Sequence, residues 1–130
     1  MIRVQGEPDQ PNLPGRRRLS EGELSILLDN HARFLAGKGG KRAHLPFVDF
    51  SGLDLTGRKL SGGDFSGSVF DGARLAGAQL KGCDLTGADV RHAVFVDADL
   101  SRSNFTRALM KQADFTGIHR HGARGLEDVI

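Results

Sequence analysis

The side chains of this chain that could take part in chemistry are few and far apart. His119 and His121 lie near the C-terminus, Cys83 is the single cysteine, and His31 stands alone far upstream. Two histidines without cysteine or carboxylate support make a poor metal site, because zinc normally takes four ligands. The glycines do not form a phosphate-binding loop between a strand and a helix. The sequence therefore predicts no enzymatic activity, no catalytic residue, no metal and no cofactor.

The same residues have simple structural interpretations. A single cysteine cannot form an intramolecular disulfide, so Cys83 fits a buried, inert thiol in a reducing compartment. His31 lies on the apolar side of a predicted helix and is expected to pack there, partly buried. No apolar run approaches the ~20 residues that span a bilayer, and the N-terminus lacks the apolar segment of a signal peptide. We expect a cytoplasmic protein without a membrane partner.

A period of five residues dominates the chain and must position everything else. A large apolar residue recurs at every fifth position, and Gly commonly follows two residues later. The fifteen apolar positions are Leu45, Phe50, Leu55, Leu60, Phe65, Phe70, Leu75, Leu80, Leu85, Val90, Phe95, Leu100, Phe105, Met110 and Phe115. Five steps rotate a side chain by about 140° around an α-helix and reverse its direction in a strand, so neither element keeps these residues on one face. The period predicts a chain that turns once per repeat around an apolar interior, with Gly at the corners.

Segments such as "CDLTGADV" and "ADFTG" follow the pattern A-[DN]-[LF]-[ST]-G, and they resemble the pentapeptide repeat family. The resemblance covers residues 43–117. It implies an all-β solenoid, a right-handed quadrilateral β-helix with one repeat on each side and about 20 residues per coil. About 15 repeats then make nearly four coils. Many members of this family have no assigned biochemical activity.

Both ends of such a stack need caps, because an open cross-section exposes apolar side chains. Residues 19–37 are predicted to form an N-terminal capping α-helix at about 21–36, which begins with a capping box of Ser20 and Glu23. The apolar stripe of this helix is Leu24, Leu27, Leu28, His31, Phe34 and Leu35. Residues 1–18, rich in Pro, Gly and Arg, are predicted to be a mobile segment.

The five-residue period fails at Arg120, where a sixteenth apolar residue would stand. Residues 118–130 are therefore predicted to be a C-terminal tail or cap. The sequence leaves two arrangements open for this tail. It lies across the open end of the coil, or it pairs two molecules end to end.

Residues twenty apart stack if four repeats complete a coil, and the coil then has four faces. Their central residues are Leu45, Phe65, Leu85 and Phe105 on face 1, Phe50, Phe70, Val90 and Met110 on face 2, Leu55, Leu75, Phe95 and Phe115 on face 3, and Leu60, Leu80 and Leu100 on face 4. The outward positions next to these centres are mostly polar. Faces 2 and 3 differ, because apolar residues stand at outward positions and are expected to gather near one corner.

These apolar residues define a candidate partner interface, since exposed apolar clusters often mark contact surfaces. Gly is missing from the nearby corners between Gly87 and Gly117, and basic residues stand around the patch. The candidate interface consists of Val69, Arg91, His92, Val94, Val96, Leu109 and Lys111. The alternative interpretation is ordinary variation in a tolerant repeat.

The sequence thus predicts a non-enzymatic protein–protein interaction or scaffold module that binds an unidentified protein partner. A homodimer through the same patch is the open alternative. A second hypothesis comes from the resemblance alone: some pentapeptide repeat proteins imitate DNA and regulate type II topoisomerase. Residues 43–117 hold nine Asp against eight Lys or Arg, which disfavours imitation of a duplex with one charge per ~1.7 Å. The balance of 18 basic and 16 acidic residues also argues against a nucleic-acid partner.

Overall fold

The computed structural model describes residues 16–129. Of the predicted mobile segment 1–18, residues 1–15 lie outside the described residues. Residues 16–18 belong to the fold, because Arg17 pairs in parallel with Val48 at the top of face 2. The N–H of Arg17 donates to the carbonyl of Phe47 (3.1 Å), and the N–H of Asp49 donates to the carbonyl of Arg17 (2.9 Å). These two hydrogen bonds hold residues 16–18 where the sequence predicted mobility.

From residue 44 to residue 124 the chain winds into a stack of coils, and each bridge joins residues twenty positions apart in parallel. One column of outward residues runs down each face. The columns are His44, Asp64, Asp84, Asn104 and Arg124 on face 1, Asp49, Val69, Asp89 and Leu109 on face 2, Asp54, Arg74, Val94 and Asp114 on face 3, and Lys59, Gln79, Asp99 and His119 on face 4. Within residues 16–129 every bridge is isolated, because the chain turns a corner soon after it.

Backbone hydrogen bonds join each side of the coil to the coils above and below. On face 1, the N–H of Leu85 donates to the carbonyl of Asn104 (2.8 Å), and the N–H of Asp84 donates to the carbonyl of Gly63 (3.0 Å). The corner is closed by the N–H of Ala88, which donates to the carbonyl of Leu85 (3.0 Å). This turn requires a positive φ, 67° at Gly87, which Gly adopts without steric cost.

The interior is filled by the central residues, whose aromatic rings form two clusters. In the upper cluster the rings of Phe50 and Phe70 stack with centroids 4.8 Å apart, and Phe65 meets both edge-on. In the lower cluster Phe95 and Phe115 stack at 5.2 Å, and Phe105 meets both edge-on. Each such pair contributes about 0.5–1.5 kcal/mol beyond its buried area.

Helix α1, Glu21–Leu35, lies over the top coil. Its N-terminus has the capping box of Ser20 and Glu23: the N–H of Glu23 donates to Ser20 Oγ (3.1 Å), and the N–H of Ser20 donates to Glu23 Oε1 (3.0 Å). Leu28 is buried against the coil. The predicted stripe is wrong at its C-terminal end, where Phe34 and Leu35 are 41% and 42% exposed. No helix within residues 16–129 is long and apolar enough to cross a membrane.

His31 fastens α1 to the first coil. Its side chain is completely buried. Nδ1 accepts a hydrogen bond from the N–H of Ala43 (2.8 Å), and Nε2 lies 2.8 Å from the carbonyl oxygen of Ser61. These two contacts are satisfied together when the proton resides on Nε2, which then donates to Ser61. The imidazole is therefore a polar link between helix and coil, which is more than the packing role that the sequence predicts.

At the lower end the coil continues beyond the predicted boundary at residue 117. Bridges join Asp99 to His119 and Asn104 to Arg124, so residues 118–124 form sides of the coil. The apolar period ends at Arg120, but the backbone ladder needs no apolar centre and continues. The Arg120 guanidinium instead donates to the carbonyls of Leu126 (3.0 Å) and Val129.

Residues 125–129 lie across this end, the first of the two arrangements that the sequence left open. Leu126 is 2% exposed and packs into the apolar interior. Gly125 allows this crossing, because a Cβ at this position would lie 2.5 Å from the carbonyl carbon of Phe105. Its φ of 84° also favours Gly.

Replacing His31 by Phe should destabilise the fold by about 2–4 kcal/mol, because the buried N–H of Ala43 and carbonyl of Ser61 would lose their partners. Urea unfolding followed by circular dichroism measures this change. The control is Ile26→Ala in the same helix, at a side chain that is 64% exposed, and we expect a change below about 0.5 kcal/mol. Equal stability of the two variants would contradict the role of His31.

Replacing Gly125 by Ala should destabilise the fold by about 2–4 kcal/mol, since overpacking against Phe105 adds to the cost of a positive φ. The matched control is Gly77→Ala, which has a φ of 65° but no atom within 4 Å of the added Cβ. This control should lose only about 1 kcal/mol. Urea unfolding of both variants separates steric contact from backbone strain, and equal losses would show that the approach to Phe105 is unimportant.

Candidate functional site

The predicted interface residues do not form one continuous apolar patch. Val69 and Leu109 share the column of face 2, but Asp89 lies between them. Val94 belongs to the column of face 3, and Val96 follows on the other side of the same repeat. That the apolar residues gather near the corner between these two faces stays a prediction. The spacing of the outward positions distributes them over two faces.

Val69 differs most from the expectation, because it is only 6% exposed. The nearby edge is occupied by Arg16, whose Nε donates to the carbonyl of Gly67 (2.9 Å) and whose guanidinium lies 5.6 Å from the ring centre of Phe47. Arg16 and Val69 line the same surface cavity. Val69 is thus outward in register but buried, and the five-residue period alone does not reveal this burial.

The remaining residues of the predicted interface are accessible to a partner. Leu109 is 52% exposed, Val94 and Val96 are half-buried, and Lys111 is exposed. Leu109 is an unusually large apolar side chain for an outward position.

Asp89 and Arg91 form a rigid ion pair on face 2. Asp89 is only 5% exposed, and Arg91 binds it with two hydrogen bonds, Nε to Oδ1 (2.9 Å) and Nη2 to Oδ2 (2.7 Å). Burial alone would raise the pKa of Asp89, but the hydrogen bonds from the side chain and backbone of Arg91 outweigh it and hold the pKa below its usual range. Asp89 is thus a carboxylate whose charge is already matched.

His92 forms a hydrogen bond with a carboxylate at the corner between faces 2 and 3. Its Nδ1 lies 2.9 Å from Asp71 Oδ1, one coil above. The hydrogen bonds with Asp71 and then with Gln112 raise the pKa of His92 above its usual value. These contacts fix the direction of the His92 side chain along the edge of the coil.

His92 begins a run of five successive corners without Gly. The residues of this run, which all have φ between 59° and 63°, are His92, Asp97, Arg102, Arg107 and Gln112. A non-Gly residue in this left-handed conformation costs about 1–2 kcal/mol. The turn of the chain is therefore preserved where Gly is lost. Each of these corners lowers the stability of the fold, and together they extend over one circuit of the coil.

A surface cavity of about 160 Å³ opens on face 2 beside these pairs. Its lining includes Asp49, Val69, Asp89 and Arg91. The Arg18 guanidinium lies 3.6 Å from Asp49, so the carboxylates on this face are matched by cations. Such a surface suits contact with polar and apolar groups of a partner.

The other candidates from the sequence lie apart from this site. His119 and His121 are exposed, and residues 16–129 contain no cluster of three side chains suited to a metal ion. Cys83 is buried, and burial raises the pKa of its thiol to about 12. Its Sγ donates to the carbonyl of Leu60 (3.0 Å), which fits a structural thiol.

Comparison with known structures gives the same coil. A crystal structure of alr5209, a pentapeptide repeat protein from Nostoc Pcc 7120, matches with a TM-score of 0.59 and 23% identity over 76% of this chain and 94% of that chain. The structure of QnrB1, a plasmid-mediated fluoroquinolone resistance protein, matches with a TM-score of 0.53 and 20% identity over 62% of this chain and 38% of that chain. Both likenesses concern the fold alone.

The sequence comparisons agree with this fold. No curated protein sequence matches the chain. The family of pentapeptide repeats matches residues 49–87 and 83–118 with eight copies of the repeat. The matched residues make up more than half of the chain. Proteins of this kind form right-handed quadrilateral β-helices, and the parallel bridges of this chain join residues twenty apart. The chain belongs to the pentapeptide repeat family.

Proposed function

We propose that this chain is a non-enzymatic interaction module that binds a protein partner through the lower parts of faces 2 and 3. The binding surface consists of Arg91, His92, Val94, Val96, Leu109 and Lys111, and it excludes the buried Val69. The observation that carries the proposal is the exposed Leu109 together with the outward valines on a coil whose outward residues are otherwise mostly polar. Pentapeptide repeat proteins are generally structural or interaction modules, which supports this class of function.

The rigidity of the surface also supports binding. The side that carries Val94 is hydrogen-bonded to the coils above and below, and the side that carries Leu109 is bonded to the coil above. Arg91 and His92 are held by Asp89 and Asp71. A surface that is already ordered loses little conformational entropy when a partner binds. The apolar residues would then supply buried area, while the charged residues around them would orient the partner.

Imitation of DNA is less well supported than protein binding. The coil extends to Arg124, and residues 43–124 contain nine Asp and ten Lys or Arg. A surface without an excess of negative charge cannot present the regular charge of a duplex. We therefore retain the topoisomerase hypothesis only as the alternative.

The double substitution Val94→Asp with Val96→Asp should abolish capture of the partner from native lysate, because two carboxylates would be desolvated at the interface. The pull-down compares wild type, this variant and a control that adds the same two charges to face 4, Gln79→Asp with Ser101→Asp. We expect the control to capture as wild type does. Equal capture by all three proteins would contradict the proposed surface.

Light scattering on the same proteins distinguishes a partner from a second copy of the chain. A wild-type mass twice that of the Val94→Asp, Val96→Asp variant would identify a homodimer as the functional form. Circular dichroism checks that each variant retains the coil.

A further inference from the structure

The lower part of face 1 carries an uncompensated positive charge. Down its column, His44, Asp64 and Asp84 are followed by Asn104 and Arg124. Arg102 and Arg107 occupy the two corners that bound the side of Asn104. We call Arg102, Asn104, Arg107 and Arg124 the arginine cluster. The three arginines are exposed, and within residues 16–129 none of them forms a salt bridge.

Two of these arginines stand in a strained backbone conformation. Arg102 and Arg107 have φ of 59° and 61°, whereas the corners directly above them are Gly82 and Gly87. Strained conformations persist only where the surrounding structure enforces them, and they cluster at functional sites. Strain at these corners is therefore a sign of function if the side chains do nothing for the fold.

The other corners in the strained run have visible structural contacts. His92 bonds to Asp71 and interacts with Gln112. The carboxylate of Asp97 lies over Gly117, and the Cγ of Arg102 lies over Gly122 in the same way. The guanidinium groups of Arg102 and Arg107, by contrast, make no hydrogen bond in the part of the chain that the structure describes.

Asn104 provides an independent observation. On the coil above, Asp84 Oδ1 accepts from the N–H of Thr86 (3.0 Å). Asn104 Oδ1 accepts in the same way from the N–H of Thr106 (3.0 Å), and also from the Thr106 hydroxyl. Asn thus keeps the hydrogen bonds of the turn and removes the negative charge from the side that Arg102 and Arg107 bound. Its amide nitrogen remains a donor beside them.

We propose that the arginine cluster binds the carboxylates of an acidic polypeptide segment. Guanidinium groups bind carboxylates with paired hydrogen bonds, and the Asn104 amide adds a neutral donor. The cationic surface is confined, since Asp84 lies above it and Asp99 lies on the adjoining face. A long polyphosphate chain would run against these carboxylates, whereas a short acidic segment fits the cluster. The arginine cluster adjoins the proposed surface on faces 2 and 3 at the corner of Arg107, but the two surfaces share no residue.

The test is a fluorescence anisotropy titration of a fluorescein-labelled peptide of eight glutamates, at about 50 mM NaCl where screening is weak. The principal variant is Arg102→Gly with Arg107→Gly, which places at both corners the residue found one coil above. This variant should bind the peptide at least about tenfold more weakly. It should also have a higher Tm than wild type, because Gly relieves the strain at both corners.

A second variant, Asn104→Asp, keeps the turn and restores the carboxylate, and it should weaken binding at least about threefold. The control, Lys59→Ala with Lys81→Ala, removes two positive charges from face 4 and should bind within about twofold of wild type. Absence of wild-type binding, or an equal loss in the control, would overturn the proposal. Tighter binding of a labelled single-stranded oligonucleotide, lost in the same variants, would overturn the assignment to an acidic polypeptide. The Val94→Asp, Val96→Asp variant should bind the peptide normally, so the two surfaces fail or succeed independently.

Discussion

The left-handed backbone conformation at the corners is the constraint on which the rest of this structure depends. With one such residue in every five, each short side begins in register with the side above it, and the N–H and carbonyl groups of both meet. At Gly87 the conformation is free of steric cost, and at His92 or Arg107 the same φ is kept at some cost. If one corner adopted another conformation, all later residues would leave their columns. Because every corner keeps a positive φ, the columns of face 1 and face 2 form, and with them the surfaces described above.

The two ends of the coil are closed by different chemistry. At the top, an amphipathic helix covers the first coil, and the buried imidazole of His31 satisfies backbone groups from two segments of that coil. At the bottom, the chain crosses its own last coil, with Leu126 in the interior and the Arg120 guanidinium on the carbonyls of the crossing segment. At each end one polar side chain binds backbone groups, those of the first coil at the top and those of the crossing segment at the bottom.

The five-residue period was enough to predict the coil, the inward residues and the four columns, because these follow from local geometry that repeats. The beginning of α1 could also be predicted, since Ser20 and Glu23 form the sequence pattern of a capping box. Features that depend on distant contacts could not be predicted. Val69 lines one cavity with Arg16, which is fifty-three positions away in the sequence. The continuation of the coil past Arg120 depends on backbone hydrogen bonds, and no apolar residue at the central position indicates it in the sequence. The unpaired state of Arg102 and Arg107 is visible only when all possible carboxylate partners have been located.

The parallel ladder also gives the molecule a direction of mechanical weakness. The hydrogen bonds between coils run along the stack, as from Leu85 to Asn104 and from Asn104 to Cys83. A force that pulls the two ends of the stack apart therefore breaks these hydrogen bonds one coil after another. A force across the stack acts instead on the covalent chain that encircles the interior. The molecule would therefore resist a partner that pulls sideways on a face. A partner that pulls on either end would detach the coils from that end.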